Sequence, residues 1–420
     1  MNFCTLPFSR SEALDHDFLI ATYLVSGTAW ENILLKAGNF VVGQSVGTWI
    51  AVPGISSEMV DNYQGRVIQL ENAGLSARGE QRFLLRAAFP LDNFGGSFTM
   101  MLTSLTGNDV STALQTRLSY VEFSGGLTRW TGPQKGYTDI KKLAGVNENR
   151  PLVLNMIKPC LGFSPEEGAK LFYASAAGGV DLIKDDELLA SPGYNKVYER
   201  TKVYLKASEA AYEKTGKRTV YFPNISGRPS CLLQNAEAVL EAGARACLVN
   251  YVFGGPDALL ELSEKYGDKL FIMGHYAGLS AMSAETAGIA DNVLIGTLPR
   301  LAGAHSIMTP FPGRHDTGAV YEFHRTIQAQ TLPMGSSEAF PPVVPAIGGG
   351  VTPLNQEYIQ ELLGREIIIG IGGAIQGHPM GTTAGAQAAM EAVKATAGGI
   401  RIQEAAASCP ALKKALEIWG

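Results

Sequence analysis

Long apolar runs are missing from this sequence. No stretch of about 18 uncharged apolar residues occurs, so no membrane-spanning helix is expected. The first residues, MNFCTLPFSRSEALDHDF, contain no apolar block of the kind that drives secretion, so no signal peptide is expected either. Cysteine is scarce. Its five copies, Cys4, Cys160, Cys231, Cys247 and Cys409, are dispersed without CxxC spacing. An odd, scattered set suits reduced thiols in a cytoplasm and argues against a structural zinc site. Excess positive charge is also lacking, with 34 Lys and Arg against 39 Asp and Glu and a net charge of −5. That balance excludes a general nucleic-acid surface. Low-complexity tracts and repeats of solenoid period are absent. These absences leave a cytoplasmic protein with no nucleic-acid or membrane partner.

What is present suggests a large core. The chain has 420 residues, 46% of them apolar and 17% charged, which predicts two or more domains. From Pro151 onward, short apolar runs alternate with stretches of helical periodicity such as EEGAKLFYASAAGG and NAEAVLEAGA. The runs are LVLNMI (152–157), VDLIK (180–184), TVYFPN (219–224), ACLVNY (246–251), LFIMG (270–274), NVLIG (292–296), VVPAI (343–347) and IIIGI (367–371). Eight buried strands, each followed by a helix, predict a (β/α)8 TIM barrel. The segment 297–342 is long for one βα unit and reads as carrying a lid loop, 301–317, before its helix. Residues 1–128 look different. FLIATYLVS, TWIAVP, GRVIQLENA and QRFLLRAAFP read as strands, with helical stretches at 28–39 and 98–115. The fold class expected is therefore α/β. A small α+β, ferredoxin-like N-terminal domain (1–128) precedes a barrel domain (129–420) that includes a linker and C-terminal helices.

One stretch carries chemistry. In GGVDLIKDDELLAS (178–191) an apolar run ends in Lys184, Asp185, Asp186 and Glu187. Alone, such a cluster reads as a solvated loop with a local salt bridge. Here it falls at the C-terminal end of the second barrel strand, the end where active sites of this fold lie. Period-two alternation sends Lys184 and Asp186 to the same side, and Glu187 joins them if the chain turns inward. Mg²⁺ takes oxygen ligands in near-octahedral geometry and leaves positions for water or substrate. Asp186 and Glu187 supply two ligands. An ammonium cannot ligate, but a lysine that has reacted with CO2 presents a carbamate, an oxygen anion. Lys184 would then be a third ligand.

The stretches NRPLVLNMIKPCLGFS (149–164) and GGVDLIKDDE (178–187) resemble the RuBisCO superfamily, and in particular its RuBisCO-like (form IV) branch. GTW (47–49), TGN (106–108), TGPQKG (131–136), NYVFGG (250–255), GHYAG (274–278), RLAGAH (300–305), IGGGV (347–351) and GIGGAIQGHPMG (370–381) match in order, so the resemblance covers essentially the whole chain. It implies a carbamylated Lys184 that binds Mg²⁺ with Asp186 and Glu187. It implies that Lys158 moves protons during enolisation and that His275 contacts substrate hydroxyls. Asn108 is implied to reach the site of a neighbouring subunit, which requires a homodimer with shared active sites. Gly349 and Gly350 after strand seven, and Gly372 and Gly373 after strand eight, are implied to cradle a phosphate through backbone N–H groups, with Thr48 and Trp49 completing that site from the partner. Tyr276 and His305 are the remaining candidate substrate contacts.

The departures from the family pattern bear on function. Cys160 replaces the second lysine of the strand-one motif, and Tyr276 replaces the arginine that holds a second phosphate. No lysine occurs between Lys269 and Lys394, so the lid lysine of the carboxylase is missing. The family's glutamate and serine fall on Gly43 and Gly348. These losses fall on CO2 addition and on the second phosphate. The resemblance then implies an Mg²⁺ enzyme that stabilises an enediolate of a singly phosphorylated keto-sugar or keto-sugar acid and does not fix CO2. The reading favoured by the sequence is a 3-oxo-isoapionate 4-phosphate decarboxylase or transcarboxylase/hydrolase of apiose catabolism. The alternative is a methionine-salvage enolase or isomerase acting on a methylthio-sugar phosphate. Asn108 weighs against the alternative, because the salvage enolase has a lysine base there. From other classes, a Schiff-base aldolase built on Lys158 or Lys184 and a non-catalytic binding relative stay open.

Overall fold

The computed structural model describes residues 9–26, 29–47, 52–76, 78–107, 115–125, 127–313, 317–334 and 340–420. The N-terminal part builds a sheet from β1 (Phe18–Ser26), β2 (Arg66–Leu75), β3 (Gln81–Pro90) and β4 (Gln115–Phe123). β1 is central and pairs antiparallel with β3 and β4. Its run FLIATYLVS is apolar almost throughout because a central strand is covered on both faces. Leu19, Ala21, Tyr23 and Val25 share one buried cluster with Ile33, Ala37 and Phe40 of the helix Trp30–Gly43. The Tyr23 and Phe40 rings meet edge to face at 5.3 Å.

Two expectations for this region change. The helix expected over 98–115 runs over Phe98–Thr106, and Gln115 already begins β4, which the periodicity did not reveal. The reason is a bulge. Thr22 pairs with Tyr120 but Tyr23 with Leu118, so Ser119 is an extra residue and the two-residue alternation breaks there. Of the strand expected at 48–53, residues 48–51 lie outside the described residues, and Val52 and Pro53 are not in a strand.

The barrel is formed by β5 (Leu152–Met156), β6 (Leu182–Lys184), β7 (Val220–Phe222), β8 (Ala246–Val249), β9 (Phe271–Gly274), β11 (Ser306–Pro310), β12 (Val344–Gly348) and β13 (Ile368–Ile371). The two-residue β10 (Gly288–Ile289) instead pairs with β4 of the N-terminal sheet. The barrel strands are parallel, in the order β7-β6-β5-β13-β12-β11-β9-β8, and a bridge between Asn224 and Leu248 nearly closes the ring. Alternate side chains fill the interior: Leu152, Leu154, Leu182, Val220, Phe222, Leu248 and Met273 form one cluster, joined by Ile140 and Ala144. The helix Tyr137–Leu143, which carries Ile140, covers the N-terminal end. Val153, Ile183, Tyr221 and Ile369 face the outer helices.

Seven of the eight expected barrel strands are present, and the sixth is elsewhere. NVLIG is a π-type turn, Asn292–Thr297, running into the helix Leu298–Leu301. Asn292 through Leu301 are all buried, so the apolar run has no exposed face and its periodicity cannot separate helix from strand. The sixth strand is SIMTP, inside the segment expected to be a lid. No helix among the described residues is long and apolar enough to cross a membrane.

Candidate active site

β6 is only three residues long and delivers Lys184 to the barrel mouth. Lys184 is fully buried. Its Nζ donates to the Asp185 carbonyl at 3.0 Å and to Glu187 Oε2 at 3.4 Å. Burial pushes its pKa down, against the opposing pull of Glu187 and Asp186. The neutral amine, which is the form that attacks CO2, is thereby made more accessible. Asp186 ion-pairs with Lys158 from the end of β5, and its Oδ1 accepts the Leu188 N–H at 3.1 Å. Burial would raise the Asp186 carboxyl, but Lys158 and the Leu188 N–H hold it below its ordinary value. Burial also opposes the charge on Lys158, yet Asp186 and the Cys160 thiol, 3.1 Å from Nζ, hold its pKa above that of a free lysine.

His275 follows β9 and is almost fully buried. Its Nδ1 accepts the Ala277 N–H at 3.0 Å, so a neutral ring carries its proton on Nε2. Burial, with Lys184 and Lys158 nearby, pushes its pKa well below the ordinary value, so the ring is neutral. Nε2 lies 3.4 Å from Glu187 Oε2. Tyr276 stacks on the His275 ring with centroids 4.7 Å apart.

Across the mouth lie the glycine loops. Lys158, Lys184, Glu187, His275, Tyr276, Gly349, Gly350, Gly372 and Gly373 all line one cavity of about 410 Å³. Gly349 and Gly350 have φ of +86° and +70°, a region that disfavours any side chain. Among the described residues, neither N–H donates to a protein acceptor, so both remain available to an anion. A Cβ at Gly350 or Gly373 would meet nothing within 4 Å, which leaves this side of the cleft open. At Gly348 a Cβ would lie 2.6 Å from the Met308 Cε, so methionine occupies the space that a serine there would need.

Not all the candidates converge. His305 precedes β11 and therefore sits at the N-terminal end of the barrel, away from the mouth. It is fully buried, its ring is 5.3 Å from that of Phe271, and its Nδ1 accepts the Ile272 N–H. It is a core residue and not a substrate contact. The correction follows from the position of the sixth strand: a residue before its first position cannot reach the cleft. Thr48, Trp49 and Asn108 lie outside the described residues.

Several residues beside the cleft escaped the sequence reading. Asp185, fully buried, accepts from Arg200 Nε at 3.0 Å, from the Tyr221 hydroxyl at 2.7 Å and from the Asn224 N–H at 2.8 Å. The Asn224 side chain in turn donates to the carbonyls of Asp186 and Glu187, and Asn250 donates to that of Glu187 at 2.7 Å. This network holds the backbone of the two acidic candidates. Trp419, on the helix Pro410–Trp419, is a further wall of the cleft. An acid next to a candidate ligand pair was the only available signal for Asp185; nothing in the sequence pointed to Trp419.

Could this set hold a metal? No group of three or more His, Cys, Asp or Glu side chains suited to an ion occurs among the described residues. Two carboxylates with a buried, pKa-depressed lysine do fit one divalent cation, provided the lysine is carbamylated.

Sequence comparison agrees with this geometry. Residues 10–123 match the ribulose bisphosphate carboxylase large chain N-terminal domain, and residues 139–419 match the catalytic domain of the same family. A ribulose bisphosphate carboxylase-like protein of Archaeoglobus fulgidus is 32% identical over 408 residues, covering 94% of this chain and 91% of the relative. A 2,3-diketo-5-methylthiopentyl-1-phosphate enolase of Geobacillus thermodenitrificans is 31% identical over 412 residues, covering 96% and 98%. The solved structure of a RuBisCO-like protein (MtnW) of Alicyclobacillus acidocaldarius superposes with a TM-score of 0.87 at 30% identity, covering 96% of this chain and 100% of that one. With a barrel, a mouth and both family domains in agreement, this chain belongs to the ribulose bisphosphate carboxylase large-chain family as a RuBisCO-like member.

Proposed function

We propose that this protein is a Mg²⁺-dependent enzyme that enolises a singly phosphorylated keto compound, with 2,3-diketo-5-methylthiopentyl-1-phosphate as the first candidate substrate. The observation that carries the reading is one cleft holding Lys158, Lys184, Glu187 and His275, with Asp186 on Lys158, opposite a single glycine cradle. Tyr276 stands where a second phosphate would need a cation. The enolase of Geobacillus thermodenitrificans, alike over nearly its whole length, supports this substrate class.

A divalent cation held by Asp186, Glu187 and a Lys184 carbamate would polarise the substrate carbonyl and stabilise the charge that develops on enolisation. The protein's own groups do the rest. Gly349 and Gly350 N–H groups bind the phosphate and fix the distance of the carbonyl from the acids. Neutral His275 presents an Nε2 proton to a substrate oxygen. Lys158 Nζ keeps its proton while paired with Asp186. With Asp186 engaged in holding a cation, Lys158 would lose its ion-pair partner, burial would lower its proton affinity, and the amine could then accept a proton from carbon. Thr48, Trp49 and Asn108 are proposed to come from the partner in a homodimer.

A second reading rests on Asn108, which by the family resemblance falls where the salvage enolase has a lysine base. Decarboxylation of a 3-oxo acid needs a polarised ketone and a proton donor but no such base, so 3-oxo-isoapionate 4-phosphate is the second candidate, with decarboxylation or transcarboxylation/hydrolysis as the outcome. Incubating the protein with each compound, Mg²⁺ and bicarbonate and following ³¹P NMR tests both. Turnover of the diketone with proton exchange at carbon supports the enolase. Turnover of the isoapionate alone moves the assignment to the second reading. Full activity after metal removal would refute both.

A further inference from the structure

The N-terminal face of the barrel carries another cavity, of about 440 Å³, remote from the mouth. Five cations line it: Lys135, Lys142, Arg218, Arg245 and Lys269. Lys135 lies just before the helix Tyr137–Leu143 and Lys142 in its last turn. Arg218, Arg245 and Lys269 precede β7, β8 and β9. The topology therefore gathers them from four separate segments of the chain. Among the described residues, none of the five makes an ion pair. The hydrogen bonds and ring contacts of four of them are with neutral groups. Lys135 Nζ donates to the Asp268 carbonyl at 2.8 Å and Arg245 Nη1 to the Ala244 carbonyl at 2.8 Å. Arg218 lies 5.0 Å over the Tyr212 ring and Lys269 lies 6.0 Å over that of Tyr266.

Two acids stand nearby. Asp139 lines the cavity, with Oδ2 accepting the Gly136 N–H, and the Asp268 carboxylate acts on Lys135. Five cations against two carboxylates leave an excess of three positive charges, on a chain whose net charge is −5. Arg150, at the same end of the barrel, shows how a structural cation is treated: it is buried and paired with Asp181 at 2.7 Å. The five share one cavity without such a partner. Leu143 and Phe271 give the cavity an apolar side.

We propose that this cavity binds a small polyanion carrying two or more phosphate groups. One phosphate would leave most of the five cations unused, whereas linked phosphates can meet several at once. The volume is that of a ligand pocket, whereas a nucleic acid or an acidic protein face would require an extended surface. The site is separate from the glycine cradle at the mouth.

Calorimetric titration of the full-length protein with pyrophosphate at low salt tests the assignment. The comparison is the double variant Arg245→Gln/Lys269→Gln, which alters exposed side chains outside the catalytic cleft. The wild type should show a pyrophosphate site that the variant loses or binds at least tenfold more weakly. Orthophosphate should bind this site more weakly than pyrophosphate, and affinity should fall as salt is raised. Any binding in the cradle at the mouth persists in the variant and cancels in the comparison. If the double variant melts early by circular dichroism, the single variant Arg218→Gln replaces it with the same expectation. Equal affinity and stoichiometry in wild type and variants would overturn the proposal. So would an RNA oligonucleotide that displaces pyrophosphate and depends on the same residues more strongly.

Discussion

Replacing Arg200 by methionine removes the cation from a fully buried carboxylate. Arg200 and Asp185 have no solvent exposure, and the guanidinium also donates to the Asn195 carbonyl and side chain and to the Ala190 carbonyl. Breaking a buried pair from one side costs about 3–5 kcal/mol, because the remaining charge stays desolvated. Asp185 would keep the Tyr221 hydroxyl and the Asn224 N–H, so the lower end, about 3 kcal/mol, is expected. Neutralising the orphaned acid should restore part of the loss. The double variant Arg200→Met/Asp185→Asn is therefore expected to be about 2 kcal/mol more stable than the sum of the single effects. Urea denaturation of the four proteins measures this directly. A second readout is functional. Asp185 holds the Asn224 backbone, and Asn224 holds the Asp186 and Glu187 carbonyls, so the Mg²⁺ concentration for half-maximal activity should rise in Arg200→Met. A loss below about 1 kcal/mol, or strict additivity in the double variant, would refute the account of the network.

Three further outcomes are expected. Lys184→Ala should abolish turnover without lowering the melting temperature, since a buried amine is costly to desolvate, and ¹³C NMR with labelled bicarbonate should show a carbamate signal in wild type only. Burial pushes His305 down to about 3, whereas an unfolded histidine titrates near 6.5, so the folded state binds fewer protons between those values. Stability should then fall with pH below about 6.5, by roughly 2 kcal/mol at pH 5, and His305→Gln should flatten that slope in denaturation curves taken from pH 7 to pH 5. Ribulose bisphosphate with labelled CO2 should give no labelled phosphoglycerate, because no lysine lies between Lys269 and Lys394; incorporation would contradict this.

How much of the site could be read from the chain depends on distance along it. Lys184, Asp186 and Glu187 are consecutive or nearly so at the end of one strand, and the fold's rule that sites sit at strand C-termini located them. His305 comes as a candidate from the family resemblance, in the segment after the expected sixth strand; the strand lies further along the chain, so His305 precedes it. Its true strand, SIMTP, is marked by Ser306 and Thr309, while the neighbouring NVLIG looks more strand-like and is a buried helical turn. Burial on every side erases the periodicity from which secondary structure is read. β4 was hidden by a different cause, the one-residue bulge at Ser119.

The eightfold alternation of apolar runs and helical stretches determined the barrel, since each strand must bury both faces and each helix one. Local spacing likewise determined which lysine and acids share a strand end. Tertiary structure alone decided which distant residues complete the site. Arg200 reaches Asp185 across 15 residues and Asn224 reaches it across 39, while Trp419 arrives from the last described helix. It alone also gathered Lys135, Arg218, Arg245 and Lys269 at the opposite end, where each looks in sequence like an ordinary surface cation. The physical reason is that a strand's period constrains only its own side chains. Burial, desolvation and charge pairing are set by whichever segments the closed ring brings within a few ångströms.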